Sequence, residues 1–116
     1  MTRGEIYWVE FGIPFGSEPG MRRPAIIVQN DELNECGINT TIVIPLTTNL
    51  RFADAPGNLF LDKGETKLPK DSVALLPQTT AIDYRRLREK VTDLPIRIMY
   101  EIDSCIDYTF GVTSKA

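Results

Sequence analysis

Histidine does not occur anywhere in this chain of 116 residues, and its absence removes many familiar catalytic chemistries. Without imidazole there is no Ser–His or Cys–His nucleophile pair, no two-histidine acid–base catalysis and no imidazole-rich metal site. Cysteine is nearly as scarce: Cys36 and Cys105 stand far apart and outside any C-x-x-C arrangement. They are expected to be reduced thiols, at least one of them buried. No apolar run is long enough to span a bilayer, so no membrane association is expected. The opening Met1-Thr2-Arg3-Gly4-Glu5 lacks the apolar stretch of a secretion signal, which makes the cytoplasm the expected location. A surplus of basic charge is missing too. The net charge of −3 argues against general coating of nucleic acid but leaves room for a local basic cleft.

What is present is an ordinary globular composition, 42% hydrophobic and 25% charged, sized for one domain over residues 1–116. Short β-rich segments separated by turn residues fill most of it. Glu5–Phe11, aromatic and β-branched, reads as a first strand. The Gly/Pro-rich stretch 12–20 forbids regular structure, and Arg23–Gln29 reads as a second strand suited to burial on both faces. Residues 30–35 suggest a helical turn capped by Asn30 or Asp31. Further strands are expected at Thr41–Leu46, Asn58–Leu61, Ser72–Leu76 and Arg88–Val91, with turns around 63–69 and 83–87. The period then changes. Leu94, Ile98, Ile102, Cys105, Ile106 and Thr109 recur at spacings of three and four, the stripe of an amphipathic helix that opens near Pro95 and stops near Gly111. A mainly β fold, a small curved sheet or barrel with one C-terminal helix, is the architecture expected.

Four blocks of sequence resemble the MazF/PemK/Kid family of toxin endoribonucleases. They are Arg3-Gly-Glu-Ile-Tyr-Trp-Val-Glu-Phe11, then Gly16-Ser-Glu-Pro-Gly-Met-Arg-Arg-Pro-Ala-Ile-Ile-Val-Gln-Asn-Asp31, Val43-Ile-Pro-Leu-Thr-Thr48 and Asp71-Ser-Val-Ala-Leu-Leu-Pro-Gln-Thr-Thr-Ala-Ile-Asp-Tyr-Arg-Arg-Leu87. They follow the family's order and span most of the chain. The resemblance implies a PemK/CcdB-like, SH3-like barrel with a terminal helix, a homodimer, and a toxin neutralised by a cognate antitoxin. It also implies sequence-specific cleavage of single-stranded RNA, mRNA above all, without metal or other cofactor.

Cleavage of this kind suits a chain without histidine, because RNA carries its own nucleophile, the 2′-OH beside the phosphate. The protein has to orient the phosphate, stabilise added negative charge and move protons. Arg23 is the first candidate: its planar fork matches two phosphate oxygens and keeps its charge. By resemblance the arginine before proline is catalytic, and Arg22 falls at a position the family leaves open. Thr47 corresponds to the family's catalytic threonine and can donate to a non-bridging oxygen, although threonine is also simply a good strand residue. Glu18, the glutamate of Gly-Ser-Glu, is either a general base brought in by loop closure or a solvated loop acid. Around them, Phe15, Ser17, Thr48, Asn49, Arg51, Gln78, Arg85 and Arg86 are candidate RNA contacts, each equally readable as a turn, core or surface residue.

Three other readings stand beside this one. A Mg²⁺-dependent nuclease needs clustered carboxylates, whereas Glu101, Asp103 and Asp107 read as the wet face of the helix. A non-catalytic CcdB-like module would bind a topoisomerase and have no use for Arg23 with Thr47. An inactive interaction protein would leave RNA intact.

Overall fold

The computed structural model describes residues 1–18 and 20–112. Its strands are β1 (Glu5–Glu10), β2 (Arg22–Ile27), β3 (Thr40–Thr47), β4 (Leu59–Leu61), β5 (Ser72–Ala74), β6 (Thr80–Asp83) and β7 (Leu87–Asp93). Helices α1 (Asp31–Asn34), α2 (Lys63–Thr66) and α3 (Ile96–Phe110) join them, with 3-10 turns at Leu50–Asp54, Leu76–Gln78 and Tyr84–Arg86. The sheet runs β4-β5-β3-β2-β1-β7, with β6 paired to β3 off this path. All pairings are antiparallel. No pairing among the described residues joins β4 to β7, so the expected barrel is an open, strongly curved one. Register slips between β1 and β7 on either side of Tyr7 add to that curvature.

Strand β3 is the hub. One edge pairs with β2; the other pairs first with β6 over Thr40–Val43, then with β5 at Leu46 and Thr47. Because side chains alternate across a strand, each face gathers its own core. On one face Ile6, Ile26, Ile44, Leu46 and Leu76 pack with Leu94, Ile98, Met99 and Ile102 beneath α3. On the other, Val9, Ala25, Ile27, Val43 and Ile82 form a smaller core. The doubly buried run expected in β2 is there: Ala25, Ile26 and Ile27 are fully buried.

Helix α3 begins after Pro95 and ends at Gly111, whose φ of 74° closes the last turn in the left-handed region. Arg3 ties it to the first strand, with Nη2 2.7 Å from an Asp103 carboxylate oxygen and Nε donating to the Val28 carbonyl at 2.7 Å. Asn30 caps α1, accepting from the Glu32 N–H at 2.8 Å.

Three local expectations need correction. The segment after Leu61 is not only a turn: Asp62 caps a four-residue helix, α2, which ends at Lys67 with φ 62°. Strand β6 lies where no separate strand was expected, because only Ile82 of its four residues is buried. Neither cysteine is buried: Cys36 is exposed just after α1, and Cys105 is half-buried at the margin of the α3 stripe. Among the described residues no helix is long and apolar enough to cross a membrane.

Candidate active site

The site begins with a proline that interrupts a ladder. Val28 N–H donates to the Ile42 carbonyl, so alternate residues of β2, continuing to position 24, turn their N–H toward β3. Pro24 has no N–H to give, and the β2–β3 pairing ends at Ala25 opposite Pro45. Continuing the same register brings Arg23 opposite Thr47, on the face that carries Ala25, Ile27 and Val43. There the two strand ends border a recess of about 260 Å³, lined by Arg23, Pro24, Thr47 and Thr48 and also by Trp8, Arg22, Leu46 and Ser72. The structure thus brings together the two residues that sequence reasoning ranked first.

Arg23 is half-buried, and its Nε is sealed from solvent with no hydrogen-bond partner. A buried, unsatisfied guanidinium N–H is costly, and an incoming anion would satisfy it. Its neighbour Arg22 is already engaged. The Arg22 guanidinium meets a Glu89 carboxylate oxygen at 2.5 Å and lies over the Trp8 ring, 5.2 Å from the centroid. The hydroxyl of Thr47 accepts the Asn49 N–H at 3.2 Å, which sets its rotamer while leaving its own proton free to donate.

Glu18 lies elsewhere. With Ser17, Gln78 and Arg86 it lines a larger recess of about 640 Å³, bounded by Phe11 and by the segment from Pro77 to Asp83. Gln78 Nε2 donates to the Ser17 carbonyl at 3.1 Å and so pins the Glu18 loop to the turn after β5. Arg86 Nη1 donates to the Glu10 carbonyl at 3.0 Å. Arg85 is occupied: Nε and Nη2 form a two-pronged contact with Asp83 at 2.9 and 2.8 Å. Those side-chain bonds hold the Asp83 carboxyl at about 2, aided by the Arg85 backbone N–H. Asn49 caps the 3-10 turn by accepting from the Arg51 N–H at 3.2 Å. The Arg51 side chain is exposed, and Phe15 is 81% exposed in the Glu18 loop.

Sequence reasoning missed Trp8, Arg22 and Ser72, which share the Arg23 recess. Trp8 and Ser72 each had a usable signal: Trp8 is the only tryptophan in the chain, and Ser72 stands in the Asp71-Ser-Val block of the family resemblance. Among the described residues no three or more of Cys, Asp and Glu converge in a way that could hold a metal ion. Asp103, one of the helix acids, is spent on Arg3.

Comparison with known proteins places this geometry in context. The family model described as PemK-like, MazF-like toxin of type II toxin–antitoxin system matches residues 2–110. Endoribonuclease MazF of Staphylococcus saprophyticus is 38% identical over 112 residues, covering 97% of this chain and 92% of the relative. Endoribonuclease MazF6 of Mycobacterium tuberculosis is 37% identical over 103 residues, covering 89% and 90%. Among solved structures, a mycobacterial endoribonuclease in complex with its cognate antitoxin superposes with a TM-score of 0.80 at 16% identity, over 99% of both chains. MazF from Deinococcus radiodurans superposes with a TM-score of 0.78 at 22% identity, over 96% of each. The match across nearly the whole length, with more than a third of residues identical to curated members, establishes that this chain belongs to the PemK/MazF family of type II toxin–antitoxin toxins.

Proposed function

We propose that this protein is a toxin endoribonuclease that cuts single-stranded RNA, mRNA in particular, at the Arg23–Thr47 recess and without a metal ion. The observation that carries the proposal is the unpartnered Arg23 guanidinium beside a threonine hydroxyl that keeps a free proton. Arg23 grips the scissile phosphate and holds its charge as the transition state gains negative charge. A fixed, delocalised charge suits this task better than proton transfer. Thr47 donates to a non-bridging oxygen. The 2′-oxygen forms a bond to phosphorus while the bond from phosphorus to the 5′-oxygen breaks, leaving a 2′,3′-cyclic phosphate and a 5′-OH. Glu18 takes the 2′-OH proton once its loop closes on bound RNA, and the leaving oxygen draws its proton from solvent.

Curated relatives at 37–38% identity are named endoribonucleases, which favours cleavage over topoisomerase binding by a CcdB-like module. One relative with this fold was solved with its cognate antitoxin, which supports neutralisation of this chain by a partner of its own in the cytoplasm. The net charge of −3 is unlike the basic toxin that an acidic antitoxin tail would seek, so apolar anchoring carries more of that contact. Other RNA contacts are Ser17, Gln78 and Arg86 in the larger recess, Thr48 at the phosphate, and Phe15, Asn49 and Arg51 on exposed loops. Arg85, tied to Asp83, takes part only if that pair opens.

The test is cleavage of an unstructured transcript by purified protein in excess EDTA. Activity is expected to persist there and to fall by roughly 10²–10³-fold in Arg23→Ala, the usual loss for one transition-state donor. Abolition by chelation would refute the metal-free mechanism. An Arg23→Ala protein as active as the parent would move the site elsewhere.

A further inference from the structure

Arg22 and Arg23 both line the recess in which a single phosphate is to be gripped, and in the continued β2–β3 register only Arg23 stands opposite Thr47. Arg22 carries the same planar fork, and its side chain is 44% exposed. It starts one residue farther along β2, a step of about 3.3 Å, and leaves the strand on the opposite face. A phosphate held by Arg22 is thus displaced from the Thr47 hydroxyl, and in such a site a misplacement of about 1 Å can cost a hundredfold in rate. Left loose, Arg22 competes with Arg23 for the substrate.

We propose that Glu89 is a positioning residue that withholds Arg22 from the substrate, so that the scissile phosphate is taken by Arg23 beside Thr47. The inference rests on the endoribonuclease reading of Arg23 and Thr47 given above. Glu89 Oε1 accepts from Arg22 Nη2 at 2.5 Å, and the same guanidinium lies over the Trp8 ring, 5.2 Å from its centroid. A bulge aims the carboxylate there. Between the pairs Tyr7 with Lys90 and Val9 with Leu87, β7 sets two residues, Arg88 and Glu89, against Trp8 alone. Hydrogen bonds from its own backbone N–H, and then from Arg22, hold the Glu89 carboxyl below its ordinary value, so it is charged at neutral pH. An exposed ion pair and an exposed cation–π contact are each weak; together they bias the Arg22 guanidinium by about tenfold. Position 22 is one that the family pattern leaves open, so this restraint answers a feature of this chain.

The test compares the parent protein, Glu89→Gln and the Arg22→Gln, Glu89→Gln double variant on one unstructured transcript. Both positions are exposed, so the core is untouched. In Glu89→Gln, kcat and KM are expected to fall together by roughly threefold to tenfold, the size of the lost bias, leaving kcat/KM within about twofold. Binding in an unreactive register gives that pattern, because the misplaced complex takes enzyme out of turnover without slowing the productive encounter. Removing the competing arginine as well is expected to return kcat to within about twofold of the parent. Parent-like constants in Glu89→Gln would overturn the inference, since Arg22 would then not compete. A lower KM with kcat retained would overturn it too, by making Arg22 a useful phosphate contact. A kcat that stays low in the double variant would reduce the pair to a strut for Trp8. Failure of the parent protein to cut intact RNA would instead overturn the enzyme reading on which the inference stands.

Discussion

At the scale of single residues, two arginines beside each other in sequence have opposite fates. Arg22 is spent on Glu89 and Trp8; Arg23 keeps its hydrogen-bonding capacity for something that arrives later. Thr47 is its neighbour across the strand pair, and the proposed mechanism uses its hydroxyl rather than its methyl. Thr47→Ser is therefore expected to retain most RNA cleavage, while Thr47→Val loses roughly tenfold to a hundredfold in kcat, measured on the same transcript. A second prediction concerns Asp83, whose carboxyl is held at about 2 by hydrogen bonds from Arg85, below its ordinary 3.8. A carboxyl with a folded-state value below its unfolded one stabilises fully above about 3.8, and that contribution fades as pH falls toward 2. An NMR titration is expected to place the Asp83 midpoint near 2 and to return it toward 3.8 in Arg85→Ala. The chemistry was legible from residue type, but the pairing of Arg23 with Thr47 was named only through family resemblance. Twenty-four positions separate them, and no periodicity joins two different strands; the pairing of β2 with β3 does that.

At the scale of elements, legibility followed pattern length. The long helix α3 repeats its apolar stripe over four turns, and its extent was readable to within about two residues at either end. Strands β1, β2 and β3 were readable from short apolar runs, rich in aromatic and β-branched residues in β1 and β3 and in Ala25-Ile26-Ile27 in β2. Strand β6 was not, because Thr80-Ala81-Ile82-Asp83 carries little hydrophobic signal and owes its conformation to the free edge of β3. Helix α2 was hidden by Gly64 and exists through the Asp62 cap, whose carboxylate accepts the Gly64 N–H at 2.6 Å. Met99 is buried although it lies off the stripe as read; it packs with the core below Gly4. The seam between α3 and the sheet is where stability concentrates. Ile102 is fully buried in the larger core, and Ile102→Ala is expected to cost about 2–5 kcal/mol in a denaturant titration. Gly57 meets the far end of the same helix with φ 88°, where an added Cβ would lie 2.6 Å from Thr109 Oγ1. Gly57→Ala is expected to destabilise by at least about 1 kcal/mol, from the left-handed backbone alone.

At the scale of the whole molecule, α3 has two sides. One seals the core; the other shows Ile96, Tyr100, Tyr108 and Phe110 to solvent, each more than half exposed. Large exposed apolar side chains gathered on one helix mark an interaction surface, and they support the homodimer that the family resemblance implies. Sedimentation at micromolar concentration is expected to give about twice the chain mass, and a Tyr100→Glu, Tyr108→Glu variant is expected to sediment as a monomer. A persistent dimer in that variant would move the interface to a sheet edge instead.

The clasp between Arg3 and Asp103 bears on the birth of this protein as well as its stability. The first strand finds its outer neighbour only in β7, and the larger core is roofed only by α3. Until residues 87–110 join the fold, strand β1 lacks its second neighbour and the larger core lies open, so the strand ends that carry Arg23 and Thr47 are supported only once these late elements dock.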